Sequence, residues 1–381
     1  MLKDIYLARG PLAAFVAEGL AWGSFAALVP AIKSQAGLSD SGLGTAMLIG
    51  AAMAFGAMWA APYMERFMRN WTMPILSAIM VCGFLLAGGA AGWGVFALAM
   101  SLAAIGAGSM DVAMNARISV LEAANGRPLM NLAHGVFSLF YAIAAIFGGI
   151  AREAGWTPLQ AYILLGLVIV ALAVVMLAAP VSESDAEDGA KGPVRLPWAM
   201  LLPIGAIVLI GFMAEQATEG WSALHLERNH GAGAAEGALG PAILGLTMAA
   251  GRFSGQALSH RLAEPVVLRI AAGLAALGAL VAAWGPGLAF GYLGFAMLGL
   301  GVSVVAPMAF ALAGRLTPSG QKAMAISRVA VMGYAGFFIG PPMMGFLSQG
   351  YGLSVSFTSM AIALALIPVV LVPWSTRSNR H

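Results

Sequence analysis

The sequence predicts an all-helical membrane protein of twelve spanning helices, arranged as two pseudo-symmetric six-helix bundles. Three observations carry that reading. Of 381 residues, 60% are hydrophobic and 9% charged, where a water-soluble domain carries roughly 25% charged residues. The apolar residues gather into twelve stretches, each near the length of about 20 residues that a helix needs to cross a bilayer. Glycines also recur at a spacing close to half the chain. A disulfide-framed fold is excluded, because Cys82 is the sole cysteine and lies in an apolar run.

The first six stretches lie near 11–32, 43–63, 73–92, 94–118, 130–150 and 158–180. Six more follow near 198–220, 239–258, 265–285, 288–313, 324–347 and 353–374. Lys3 and Arg9 precede the first stretch as they would in a signal peptide. It is too long for one, holds Glu18 and lacks a small-residue cleavage site, so it reads as a retained helix. The connector VSESDAEDGAKGPVRLP, 181–197, is the longest polar run. It divides an N-terminal bundle, 1–180, from a C-terminal bundle, 198–381, and reads as a cytoplasmic linker.

The basic residues orient the bundle. With both termini in the cytoplasm, that side holds Lys3, Arg9, Arg66, Arg69, Arg117, Arg127, Lys191, Arg195, Arg261, Arg269, Arg315, Lys322, Arg377 and Arg380. The other side holds only Lys33, Arg152 and Arg228. The expected location is therefore a cytoplasmic, or inner, membrane. A net charge of +3 is too small to suggest a nucleic-acid partner.

An internal repeat spans the connector. Gly56 and Arg66 recur 195 residues on as Gly251 and Arg261, Gly106 and Gly108 recur 193 on as Gly299 and Gly301, and Gly148 recurs 192 on as Gly340. The common order argues for two related bundles. Parallel repeats of this kind are the layout of major facilitator transporters, whose substrate lies between halves that rock.

Two motifs sharpen the likeness. APYMERFMRNW, 61–71, resembles the superfamily's G-x-x-x-D-R-x-G-R signature, with Ala61 for the first Gly, Glu65 for Asp and Met68 for the second Gly, while Arg66 and Arg69 fit. The resemblance implies a gating role for Glu65, Arg66, Arg69 and the repeat-related Arg261, with the acid pairing across the halves. GAGSMDVAMNARISVLEAANGRPLMNLAHGVFSLF, 106–140, resembles helices 4 and 5 of the fucose permease branch. Asp111 takes the acid position there, Asn115 the Asn, His134 the Gln and Ser138 the Ser. A closer resemblance is to the YbjJ-like inner-membrane proteins, related to rhizopine transporters. FMAEQATEGWSAL (212–224), AAGRFSG (249–255) and GYAGFFIGPPMMG (333–345) echo their patterns. One departure limits the fucose likeness: Ala26 stands where its proton-linked Asp precedes Pro30, so sugar selectivity is not inherited.

Ionisable residues inside the spans carry most of the remaining information, since a charge at bilayer depth costs about 2.5–3.5 kcal/mol on insertion scales. Asp111 and Asn115 share a face of helix 4, and Asp111 lies about 9 Å along the axis from Arg117. His134 sits a turn or two into helix 5 at a comparable depth. Burial favours a neutral carboxyl and a cationic neighbour favours the charged one, which makes Asp111 and His134 candidates for proton coupling. The alternative is a polar cluster that only ties helices 4 and 5 together.

Glu215 and Glu219 share a face of helix 7, with Trp221 nearby. Glu215 is the deeper and a candidate for coupling or substrate contact, whereas Glu219 reads as an outer, solvated acid. Glu18 and Trp22, also one turn apart, would receive a sugar ring or an amine by stacking or cation–π contact. Ser138, Tyr141 and Tyr334 are further candidates for lining the cavity. Arg252 and Arg328, on helices 8 and 11, are read as partners of buried acids.

Other chemistries find no support in the residues. There is no H-E-x-x-H, because His225 and His230 have the wrong spacing and fall in an expected outer loop. No P-loop, Rossmann glycine pattern or cysteine metal cluster is present, so neither an enzyme, a cofactor nor ATP is expected. Helix 5 reads AIAAIFGGI, without the proline of the superfamily's drug antiporters. The sequence thus predicts a monomeric secondary transporter that takes up a small polar solute, sugar-like, neutral or cationic, with protons. Proton-coupled export and a non-transporting receptor are the alternatives.

Overall fold

The computed structural model describes residues 2–177, 198–259, 262–317 and 321–377. The linker 181–197 and Arg261 lie outside the described residues. After a short helix, Leu2–Leu7, come α1 (Arg9–Gln35), α2 (Asp40–Met68), α3 (Thr72–Gly88), α4 (Trp93–Asn125), α5 (Met130–Glu153) and α6 (Pro158–Leu177). The second set is α7 (Trp198–His230), α8 (Ala234–Ser259), α9 (Glu264–Trp284), α10 (Leu288–Leu316), α11 (Lys322–Tyr351) and α12 (Leu353–Leu366). A π turn at Ile367–Leu371 carries α12 into Val372–Arg377. It falls at Pro368, whose missing N–H breaks the regular ladder.

Among the described residues, ten pieces have the length and hydropathy of a membrane span. One of them, Asp40–Gly88, is α2 and α3 joined through the turn Arg69–Trp71; with α8 the helices number twelve. Several run past the apolar stretches that announce them. α4 continues to Asn125, where Gly126 closes it at φ 63°, a left-handed conformation that suits glycine. Beyond that turn the Glu122 side chain accepts the N–H groups of Leu129 and Met130, at 2.6 and 2.8 Å. α7 continues to His230, so His225 and His230 lie in helix and not in a loop. Charged and amide residues extend both helices, Glu122 and Asn125 in α4 and Glu227, Arg228 and Asn229 in α7, because these find partners there.

The two halves repeat in atomic detail. A Cβ on Gly83 would stand 2.2 Å from the Ala103 nitrogen, and one on Gly278 would stand 2.5 Å from the Leu298 nitrogen. A Cβ on Gly106 would meet the Met80 nitrogen and Leu76 oxygen, and one on Gly301 the Ala275 nitrogen and Ala271 oxygen. Every member of these contacts is offset by 195, so Gly106 corresponds to Gly301. The pairing of Gly106 and Gly108 with Gly299 and Gly301 is thus two residues out of register, because similar spacing inside one helix does not fix which helix each glycine faces. α3 packs on α4, and α9 on α10, with backbone against backbone.

Between the halves, α5 packs on α8 and α2 on α11, with α1 against α7. Within the first half, α4 packs on α2 and α3, whereas α5 packs on α1. Helices 4 and 5, adjacent in sequence, therefore have little shared surface.

Candidate functional site

Charged side chains meet where the halves face each other. Glu18 of α1 lies within electrostatic reach of Asp111 of α4 and Glu219 of α7, and Glu219 in turn of Glu215 on its own helix and of one guanidinium, Arg252 of α8. Arg252 donates to Glu215 at 3.0 Å. It also reaches into the other half, donating to the Ser138 hydroxyl and, at 3.5 Å, to the His134 carbonyl. The pairing expected of Arg252 is present, and it ties α7 and α8 to α5.

The remaining acids lack cationic partners of this kind. Asn115 donates to the Asp111 carboxylate at 2.7 Å, and Gln216 donates to Glu219 at 3.0 Å. Glu18 is 7% exposed; the Trp22 side chain engages it, while its Oε2 is buried with no hydrogen-bond partner. A buried carboxyl without a counter-charge is costly unless neutralised. The Tyr141 hydroxyl, also buried and unbonded, lies in the field of Glu215 and Glu219. Tyr334 is half-buried near Asp111 and Glu18, with its ring beside Phe212 and Phe337.

Several expected contacts are arranged otherwise. Asp111 and His134 share no hydrogen bond: the His134 ring meets Phe15 of α1, with centroids 5.1 Å apart. Helices 4 and 5 scarcely touch, so the pair neither ties them together nor forms a direct relay. Trp221 is fully buried, on packed surface of α7, and does not line a cavity here. Trp22 sits edge-on to Phe25 and Phe84. Arg328 pairs with no acid among the described residues; it lies 5.5 Å from the ring centre of Trp198, because it falls in the second turn of α11, where a long side chain reaches the interface. Glu219 belongs to the central group and is not an outer solvated acid.

The ends of the bundle differ. On the face bearing the termini, Glu65 pairs with Arg117 of its own half, at 2.7 and 2.9 Å, and not across the halves. Arg117 also donates to the Arg69 carbonyl at 2.7 Å, holding the α2–α3 turn, while Arg66 is exposed. Pairs Asp4–Arg127 and Glu264–Arg315 likewise stay within one half. The nearby α2 side chains Trp59, Tyr63 and Phe67 are 73%, 77% and 88% exposed.

On the opposite face the halves are bonded together. Asp40, the first residue of α2, accepts twice from Arg228 of α7, at 3.0 and 2.8 Å. It also accepts from Ser348 of α11 at 2.9 Å and pairs with Lys33 at 3.0 Å. Arg152 of α5 makes a bidentate pair with Glu227 of α7, at 2.7 and 3.1 Å. A Cβ on Gly44 would stand 2.5 Å from the Pro341 oxygen, and one on Gly345 2.5 Å from the Asp40 oxygen. A recess of about 350 Å³, lined in part by Lys33, Ser34, Glu227 and Arg228, lies at this face, apart from the central acids. The three sparse cations of this side, Lys33, Arg152 and Arg228, all serve this latch. Sequence reasoning found them by position but missed Asp40, Glu227 and Ser348; a cation beside an acid on a cation-poor face was the available signal.

Comparison with known proteins agrees with this architecture. The family profile described as Major Facilitator Superfamily matches residues 12–297 and 205–381. An uncharacterized MFS-type transporter of Yersinia pestis is 28% identical over 365 residues, covering 93% of this chain and 92% of the relative. Membrane protein MosC of Rhizobium meliloti is 29% identical over 373 residues, covering 96% and 89%. Among solved structures, the nucleoside transporter NupG superposes with a TM-score of 0.75 at 12% identity, covering 98% of this chain and 99% of that one. A variant of the E. coli fucose:proton symporter FucP gives 0.61 at 18%, covering 98% and 99%. These likenesses establish the fold. With the profile covering nearly the whole chain, the protein belongs to the Major Facilitator Superfamily: it is a multi-pass membrane transporter and not an enzyme.

Proposed function

We propose that the chain takes up a small polar solute together with protons by alternating access, as a monomer in the cytoplasmic membrane with both termini inside. On that orientation the latched face is the outer one, and the state described here is closed outward. The carrying observation is the excess of four buried carboxyls over one guanidinium between the halves. An anion would meet net repulsion there; a cationic or neutral hydroxylated solute would not. The motif resemblance favours the YbjJ-like branch, which leaves the solute itself open.

Asp111 carries the exchanged proton in this reading. Neutralising it removes one negative charge from the site and changes which arrangement of the halves is favoured. Glu215 is coupled to the same step through Arg252, and His134 contributes the carbonyl that helps hold Arg252 across the interface. Glu18, Trp22, Asn115, Ser138, Tyr141, Glu215, Trp221 and Tyr334 are the proposed substrate set, with Trp221 requiring a rearranged α7 to take part. Glu65, Arg66, Arg69 and Arg261 are proposed to gate the inner side, Glu65 exchanging Arg117 for a partner in the other half.

The test uses proteoliposomes loaded with a pH-sensitive dye and challenged with sugars, polyols, amino acids and amines. Symport acidifies the lumen when the right solute is added outside. Export by proton exchange alkalinises it, and a receptor moves nothing. Asp111→Asn is expected to abolish acidification while leaving solute counterflow; unchanged acidification would make Asp111 structural.

A further inference from the structure

Two imidazoles near the latched end of α7 are unused by anything above. His225 is fully buried. Its Nε2 lies 2.8 Å from the Ala282 carbonyl of α9; a carbonyl only accepts, so Nε2 carries the proton and Nδ1 presents a lone pair. That Nδ1 is buried without a partner, and so is Nε2 of the half-buried His230. An imidazole whose second nitrogen is anchored to a backbone carbonyl is the arrangement of a metal-ligating histidine.

The ring centres lie 5.2 Å apart with planes at 76°. With metal–nitrogen bonds of about 2.0–2.1 Å and a tetrahedral angle, one shared ion sets two imidazole centres about 5.2 Å apart. The aromatic rings of Phe295 and Phe357 flank His225. We propose that His225 and His230 form a site for a divalent transition-metal ion of the zinc class, with water completing its coordination. Imidazole pairs suit zinc, nickel and copper over magnesium or calcium.

The site has a mechanical consequence. Glu227 and Arg228, the two latch residues of α7, lie between the two histidines in sequence, so a bound ion would pin the turn that presents them. Zinc would therefore stiffen the closed outer face.

The test is zinc titration of the tag-free full-length protein in detergent, in a Cys82→Ser background because Cys82 is an exposed thiol. One zinc per chain should bind with micromolar affinity, and amide exchange across 226–236 should slow on binding. His230→Gln should weaken binding at least about tenfold and abolish the exchange effect, and His225→Gln should do the same. Should His225→Gln fail to fold, the half-buried His230 variant decides the matter alone. No binding at millimolar zinc, or binding unchanged in His230→Gln, overturns the proposal.

Discussion

Asp40 and Arg228 stand 188 residues apart in the chain and meet through two hydrogen bonds, at 3.0 and 2.8 Å. One residue opens α2 and the other lies in the last turn of α7, so the contact joins the first half of the molecule to the second. Lys33 and Ser348 converge on the same carboxylate, making Asp40 the acceptor on which the closed face depends.

Asp40→Asn should loosen that face. Arg228 is 40% exposed at its side chain, and screened pairs of this kind contribute about 1 kcal/mol or less. The expected change is a severalfold rise in the open population. Cysteines at Ser41 and Gln349, bonded across the seam at 3.0 Å in the native chain, report it in a Cys82→Ser background. Cross-linking should slow in Asp40→Asn; an unchanged rate would show that the latch contributes nothing.

Glu215→Gln should cost more stability than Glu215→Gln combined with Arg252→Gln. The pair is buried, with side chains 16% and 14% exposed, and removing one partner strands a guanidinium in the interior. Breaking such pairs typically costs about 3–5 kcal/mol, whereas removing both charges is often near neutral. Thermal unfolding in detergent checks the order. A double variant no more stable than the single one would mean that Arg252 is adequately held by Ser138 and His134 alone.

Alanine at Gly83, Gly278, Gly106 or Gly301 should destabilise the half that contains it by about 1–3 kcal/mol, since each new Cβ overlaps backbone atoms. Gly56→Ala is the contrast: nothing lies within 4 Å of where its new methyl would stand, and alanine favours helix over glycine by about 1 kcal/mol. Matched melting curves should separate the four from the fifth. Equal behaviour of the Gly106 and Gly301 variants, and of the Gly83 and Gly278 variants, would uphold the register of 195.

The twelve helices and their division into halves were legible because lipid imposes length and hydropathy on each span. Helix ends were less so. α7 outlasts its apolar stretch because Glu227 and Arg228 find partners in the other half, a fact no local pattern contains. The central residues were identifiable one at a time as costly charges at depth, and Arg252 could be anticipated as the partner of a buried acid, though not of which one. Which face each helix turns to its neighbours was not readable. Asp111 and His134 are close in sequence and in depth, yet α4 and α5 pack on different partners. Glu219 reads as an outer acid from sequence for a related reason: the apolar stretch understates the length of α7, and with it the depth of this carboxyl.

At Gly44 and Gly345 the facing backbones approach with no side chain interposed. A bulkier residue at either place would hold α2 and α11 apart before the seam could shut, so these two glycines set how tightly the bundle seals.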